Sequence, residues 1–201
     1  MAVLLTALAL TACGDDSDGG ATAATSGPAA SPATAASPTP AAAADAPGDP
    51  APAAAAGKST PACPKGLAFD LAKDWKPKAV ADGETLLDVG SNHPVCEVDA
   101  KPAGLIGFIR VYVSPAEPRK ALEAQVAGDK GATKVTYRDA KVGTGTGVEA
   151  SWTDAEDAPS RAFAVKAGAG SVLLVWGGLD AEEHTGGLPA YVLARRTAVP
   201  L

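Results

Sequence analysis

The sequence predicts an α+β domain, an antiparallel β-sheet of about six to eight strands packed with two helices, preceded by a disordered linker. Three observations carry this expectation. Beyond Cys63 the apolar residues recur in short runs of period two, while residues 116–127 and a stretch after Asp180 switch to helical spacing. The stretch before Cys63 is dominated by Ala, Pro, Thr and Ser and has too few large apolar side chains to join a core. The chain therefore divides into a targeting segment at 1–12, a tether at 13–62 and a globular domain at 63–201.

The first twelve residues read MAVLLTALALTA. This apolar run is too short to span a bilayer as a helix, which takes roughly 20 residues. It ends in Leu10-Thr11-Ala12-Cys13, an apolar residue and two small ones before a cysteine. The string resembles the lipobox of bacterial lipoproteins. That resemblance implies a signal peptide cut before Cys13 and a diacylglyceryl group on its thiol. It also implies that the new amino terminus can be acylated, as with palmitate, and that the protein is held on the extracytoplasmic face of the cell membrane. Each buried methylene contributes about 0.8 kcal/mol, so two or three acyl chains anchor durably where one does not. A secretory leader normally opens with Lys or Arg, which this run lacks, so the true start is expected a few codons upstream. The competing reading is an apolar N-terminal strand or helix of a cytosolic protein.

From Gly14 the chain reads GDDSDGG, then passes Pro28, Pro32, Pro38, Pro40, Pro47, Pro50 and Pro52 among alanines and threonines. Proline breaks any helix the alanines favour, and no large apolar side chain offsets the entropy of ordering. About 49 residues of flexible coil span roughly 40 Å, and a polyproline form would reach about 150 Å. Residues 14–62 carry five of the acids against Lys58, which leaves about −2 for the rest of a chain whose net charge is −6. Such a balance argues against nucleic acid, which calls for a basic face.

Three cysteines are an odd number until Cys13 is assigned to lipid. Cys63 and Cys96 then remain as a pair, and an oxidising compartment predicts a disulfide between them. Two free buried thiols or half of a metal site are the alternatives, and no CxxC spacing or neighbouring His supports the metal.

Within the domain, Leu67, Phe69 and Leu71 alternate, and Asp74-Trp75-Lys76-Pro77 marks a turn before Ala79-Val80. Residues 95–98 form a short strand. Residues 105–113 (LIGFIRVYV) are apolar on both faces, Leu105/Ile109/Val111/Val113 and Ile106/Phe108/Tyr112, which predicts a central strand covered on each side. Ser114-Pro115-Ala116-Glu117 has the spacing of a capping box, and Leu122 and Val126 lie four apart before Gly128, so 116–127 reads as a helix with Pro118 near its start. Strands resume at 135–142 and with Val148/Ala150/Trp152 alternating against Glu149/Ser151/Thr153. Gly143-Thr144-Gly145-Thr146-Gly147 between them is a hairpin connection, without the strand-to-helix context of a phosphate-cradling loop. Residues 161–165 and 172–176 form another hairpin. Asp180 and Glu183 open a second helix, interrupted by Gly186, Gly187 and Pro189 and resumed at 191–195.

Gly66-Leu67-Ala68-Phe69-Asp70-Leu71 followed by Asp74-Trp75, then the helix after the central strand, the 142–152 hairpin and the C-terminal helix, resemble the PsbP-like superfamily and its lipoproteins of the LpqN type. The resemblance covers nearly all of 63–201. It implies a sheet with helical cover and a binding or assembly role, and it carries over no active site.

His93 and His184 are the only histidines, each beside a turn residue and expected as exposed loop residues. No GxSxG, SxxK or HExxH string occurs. Asp154, Glu156 and Asp157 cluster in a loop but lack the Gly and distal Glu of a calcium site, so a solvated hairpin tip is expected and no metal. Trp75, Trp152 and Trp176 read as core or sheet-edge residues. Trp75 and Tyr191 would mark a ligand site if both lay exposed beside one cleft. The expectation is a non-enzymatic lipoprotein without cofactor, anchored to the membrane and binding an envelope protein. A carrier of a small apolar molecule, lipid or glycolipid, between sheet and helices is the alternative, to be recognised by an apolar pocket beneath the C-terminal helix.

Overall fold

A computed structural model describes residues 53–58 and 63–201. Cys13, the leader and most of the tether lie outside the described residues. The elements run β1 (Ala56–Lys58), β2 (Leu67–Ala68), β3 (Leu71–Ala72), β4 (Lys76–Ala79), β5 (His93–Asp99) and β6 (Phe108–Ser114). They continue as α1 (Pro118–Gly128), β7 (Thr133–Val142), β8 (Gly145–Thr153), β9 (Pro159–Ala167), β10 (Gly170–Gly177), α2 (Ala181–Thr197) and β11 (Val199–Pro200).

Among the described residues, seven strands form one sheet in the order β4-β5-β6-β10-β9-β8-β7, antiparallel throughout. After β6 the chain crosses through α1 to the far edge at β7. It then returns strand by strand until β10 pairs with β6, from Ser171 opposite Ser114 to Gly177 opposite Phe108. Two small sheets, β1 with β3 and β2 with β11, lie outside this order. The expected α+β architecture is therefore present, with residues 108–113 of the predicted run in the interior of the sheet.

Strand periodicity sends alternate side chains to opposite faces, and each face has its own helix. On one face α2 packs Leu188, Tyr191 and Val192 against Ile109, Val111, Phe163, Leu174 and Trp176. On the other, α1 presents Ala121, Leu122 and Val126 to Ala150, Trp152, Ala162, Ala164, Leu173 and Tyr112. The alanines on β8 and β9 leave room for the helix to sit close. α1 is short and packs on β8, β9 and β10, so it stops before covering the β4–β6 side of its face.

Cys63 and Cys96 form a disulfide with their Cα atoms 5.6 Å apart, tying the start of the domain to β5. Residues ahead of Cys63 also belong to the packed unit. β1 pairs with β3, and the Ala54 N–H donates to the Pro189 carbonyl of α2.

Several local expectations are corrected. Residues 105–107 are not strand: the Ile106 and Gly107 N–H groups donate to the Glu183 carboxylate of α2 rather than to a neighbouring strand, and β6 begins at Phe108. Lys76 and Pro77 belong to β4 rather than to a turn; β4 is an edge strand, where the missing proline N–H has no ladder partner to serve. The capping box does not form: Ser114 ends β6, its Oγ accepts from the Ala116 N–H at 3.3 Å, and α1 starts at Pro118, whose missing N–H is harmless in a first turn. α2 begins as expected, with the Asp180 carboxylate accepting the Glu183 N–H at 2.8 Å, but runs without interruption through Gly186, Gly187 and Pro189. Burial of the face from Leu188 to Ala194 overrides the local cost of glycine and proline.

Candidate binding cleft

The uncovered part of the α1 face is a half-open cleft of about 500 Å³. Its floor is the sheet: Phe108, Arg110 and Tyr112 from β6, Val175 from β10 and Trp152 from β8. One wall is the C-terminal end of α1, at Gln125 and Asp129, with Val89 from the connection between β4 and β5. Two side-chain contacts fix that wall. The Trp152 indole N–H donates to Asp129 at 2.6 Å, and the fully buried Asn92 amide donates to the Ala121 carbonyl at 3.0 Å and to Gln125 at 3.1 Å. The opposite rim is Ile106 and Leu179, 56% and 66% exposed, an uncommon placement for two neighbouring aliphatic side chains. Glu183 holds that rim by accepting the backbone N–H groups of Ile106, Gly107 (2.7 Å) and Leu179 (2.6 Å).

Polar side chains share the cleft with the apolar ones: Arg110, Tyr112, Gln125, Asp129 and Ser160 all line it. Arg110 Nε pairs with Glu97 at 2.9 Å and its guanidinium lies 5.5 Å from the Phe108 ring centre. Burial raises the Tyr112 phenol above its ordinary 10, against the opposing effects of the Arg110 charge and of Gln125, so it is neutral at physiological pH. The volume lies in the range that small-ligand and side-chain pockets occupy, and the lining sets polar partners beside Phe108, Trp152 and Val175.

The most concentrated charge in the domain lies on the other face. Glu149 of β8 is 1% exposed and is contacted by Arg138 of β7, Arg161 of β9 (3.1 Å), Arg195 of α2 (3.0 Å) and the Tyr191 hydroxyl (2.8 Å). Burial, and then the Glu149 charge, push the Tyr191 phenol well above 10, so it remains a donor to the carboxylate. Each carboxylate oxygen accepts several donors, which leaves this group no open position for a substrate.

Neither Trp75 nor Tyr191 lies exposed beside a cleft. Trp75 packs on Trp176 at 5.5 Å between ring centres and edges a separate depression with Gly57 and Lys73. Tyr191 is fully buried among core residues. Of the sequence-marked residues, only Trp152 reaches the cleft. His93 is exposed, as expected, but opens β5 opposite Val113 rather than lying in a loop, and it pairs with Asp88 at 3.0 Å. His184 is not a loop residue: it lies buried in the first turns of α2, stacked on Trp176, and burial lowers its pKa to about 4. The 154–157 segment is a turn in which Asp154 accepts the Glu156 and Ala158 N–H groups at 3.0 and 2.8 Å. Among the described residues, no cluster of His, Cys, Asp and Glu is arranged to hold a metal.

Arg110, a charge within an otherwise apolar strand, is a signal that the reading of 105–113 as covered on both faces passed over. A charge there implies that part of the face stays open. Glu149 gave no such signal, because its alternation with Val148 and Ala150 reads as a solvent-facing position.

An antiparallel sheet with one helix on each face, one of them too short for its surface, defines an α+β scaffold. No helix among the described residues is long and apolar enough to cross a membrane. The chain belongs to the lipoprotein family Lipoprotein_23, described as uncharacterised lipoprotein, whose model matches residues 30–198. Membership supports a membrane-anchored place in the cell envelope. No curated protein and no solved structure matches the chain.

Proposed function

We propose that this lipoprotein is a non-catalytic binding module, anchored through Cys13 on the extracytoplasmic face and engaging an envelope protein with the cleft beside α1. The single observation that carries the reading is the cleft itself, which sets Arg110, Gln125 and Asp129 among aromatic and aliphatic side chains and whose rim keeps Ile106 and Leu179 in solvent. Exposed apolar rims of this kind are stabilised when a partner covers them. The Cys63–Cys96 disulfide supports an oxidising compartment, and hence a leader cut before Cys13. A sheet with helical cover also supports kinship with PsbP-like domains.

The carrier reading has less support. Phe163, Leu174, Trp176 and Tyr191, each fully buried, fill the space beneath α2 where the carrier reading calls for an apolar pocket, and the cleft on the other face includes Arg110 and Asp129. The test is cross-linking in intact membranes with wild type and an Ile106→Asp/Leu179→Asp variant. Both positions are exposed, so the variant should keep the wild-type circular dichroism. A protein captured by wild type and lost from the variant supports the module. Equal capture by both overturns the cleft as its site. A small molecule retained by wild type in native mass spectrometry, with no captured protein, turns the assignment to the carrier. For the anchor, Cys13→Ser should release the protein from membranes or leave it uncleaved, and normal processing with unchanged partitioning would refute it.

A further inference from the structure

We infer that the outer edge of β7 is a self-complementary surface on which two copies of this chain pair, extending the sheet across a two-fold axis at Ala140. The inference is independent of the cleft.

The two edges of the sheet differ. β4 is four residues long and carries Pro77 between Lys76 and Lys78, features that discourage another strand from adding to it. β7 is ten residues long and without proline. After an irregularity between Thr133 and Thr136, it pairs in unbroken register with β8 as far as Val142 opposite Gly145. The two-residue turn makes Val142 a hydrogen-bonded pair with Gly145. Alternation then directs the backbone groups of Ala140 and Arg138 toward β8, and those of Tyr137, Asp139 and Lys141 toward the open side.

Two copies related by a two-fold axis perpendicular to the sheet meet antiparallel with like faces on the same side. The residue on the axis then sets every opposing pair. Centring on Arg138, Asp139 or Lys141 sets a charge directly against its own copy, which destabilises a cross-strand pair. Centring on Ala140 sets alanine against alanine and Asp139 against the partner copy's Lys141, twice over. Asp139 and Lys141 lie on the same face, both exposed, and neither forms an ion pair among the described residues. In this register the outward backbone groups of Asp139 and Lys141 also face each other as hydrogen-bonded pairs. The contact is small, so association in dilute solution is weak. Confinement of both copies to one membrane raises their effective concentration.

The test uses the full chain in its membrane, with Ala140→Cys as a reporter. Cβ atoms of directly opposed residues lie about 4.5–5.5 Å apart, within reach of a disulfide under a mild oxidant. A reducible dimer should form with Ala140→Cys beyond the wild-type background. Adding Asp139→Lys or Lys141→Asp turns both attractive pairs repulsive and should lower the yield about tenfold. Adding both reversals together should restore it. Co-expressing the two single reversals, one tagged, should give a mixed dimer in preference to either homodimer. Circular dichroism of each variant checks that the fold is kept. Absence of a trapped dimer, or equal trapping across all the charge variants, overturns the inference.

Discussion

The Tyr191 hydroxyl donates a 2.8 Å hydrogen bond to Glu149 across the interface between α2 and the sheet, at a point where three arginines meet the same carboxylate. Removing one partner of a buried pair leaves the others uncompensated, which costs more than the pair contributes. Glu149→Ala should therefore destabilise the domain by about 3–5 kcal/mol. Tyr191→Phe, which removes one hydrogen bond to a charged group, should cost about 1.5–3 kcal/mol. Urea unfolding checks the order, since the non-ionic denaturant leaves the ion pairs unscreened. A smaller loss for Glu149→Ala than for Tyr191→Phe would show that the cluster is dispensable.

Acidification should destabilise the fold through His184. Its folded-state pKa, about 4, lies below the ordinary 6.5 because burial disfavours the charged imidazole, with the Arg161 charge adding to the effect. The unfolded chain thus takes up a proton first as pH falls from about 6.5, and stability is lost progressively down to about pH 4. Urea midpoints measured between pH 7 and pH 4 should show this slope, and His184→Gln should flatten it. An unchanged slope in the variant would place the titration elsewhere.

Gly187 sets two effects against each other. Alanine is the better helix former by about 1 kcal/mol, yet a Cβ at this position would lie 2.0 Å from the Trp176 ring, far inside van der Waals contact. The indole cannot retreat easily, because its N–H donates to the His184 carbonyl at 3.0 Å and Trp75 packs against it. Overpacking should win, and Gly187→Ala should lower stability by about 1–3 kcal/mol, read as a fall in thermal midpoint.

Cys63→Ala/Cys96→Ala frees a loop closed across a sequence separation of 33. On the chain-entropy model this removes about 3–4 kcal/mol. The urea midpoint of the reduced wild type should match that of the double variant.

What the sequence disclosed follows from the range of each signal. β6 was legible because its apolar residues are contiguous and two-sided, and the start of α2 because Asp180 and Glu183 cap it within one turn. The continuity of α2 was not, since local rules break a helix at Gly186, Gly187 and Pro189 while its tertiary face holds it together. The same limit hid Glu149. Its partners come from β7, β9 and α2, and only the register that places Arg138 and Arg161 beside it makes a buried carboxylate stable. The cleft was hidden for a third reason: it is the area left over when a helix of 11 residues lies on a wide sheet, a fact about extent rather than about any one side chain.

The Cys63–Cys96 link also fixes where mechanical tension would enter. In a chain tethered by its N-terminal side, a pull arriving at Cys63 passes through a covalent bond into β5, behind the edge strand, rather than peeling β4 from the sheet one hydrogen bond at a time. The segment ahead of it, held by β1 and by Ala54 on α2, can strip away and lengthen the leash while the cleft keeps its shape.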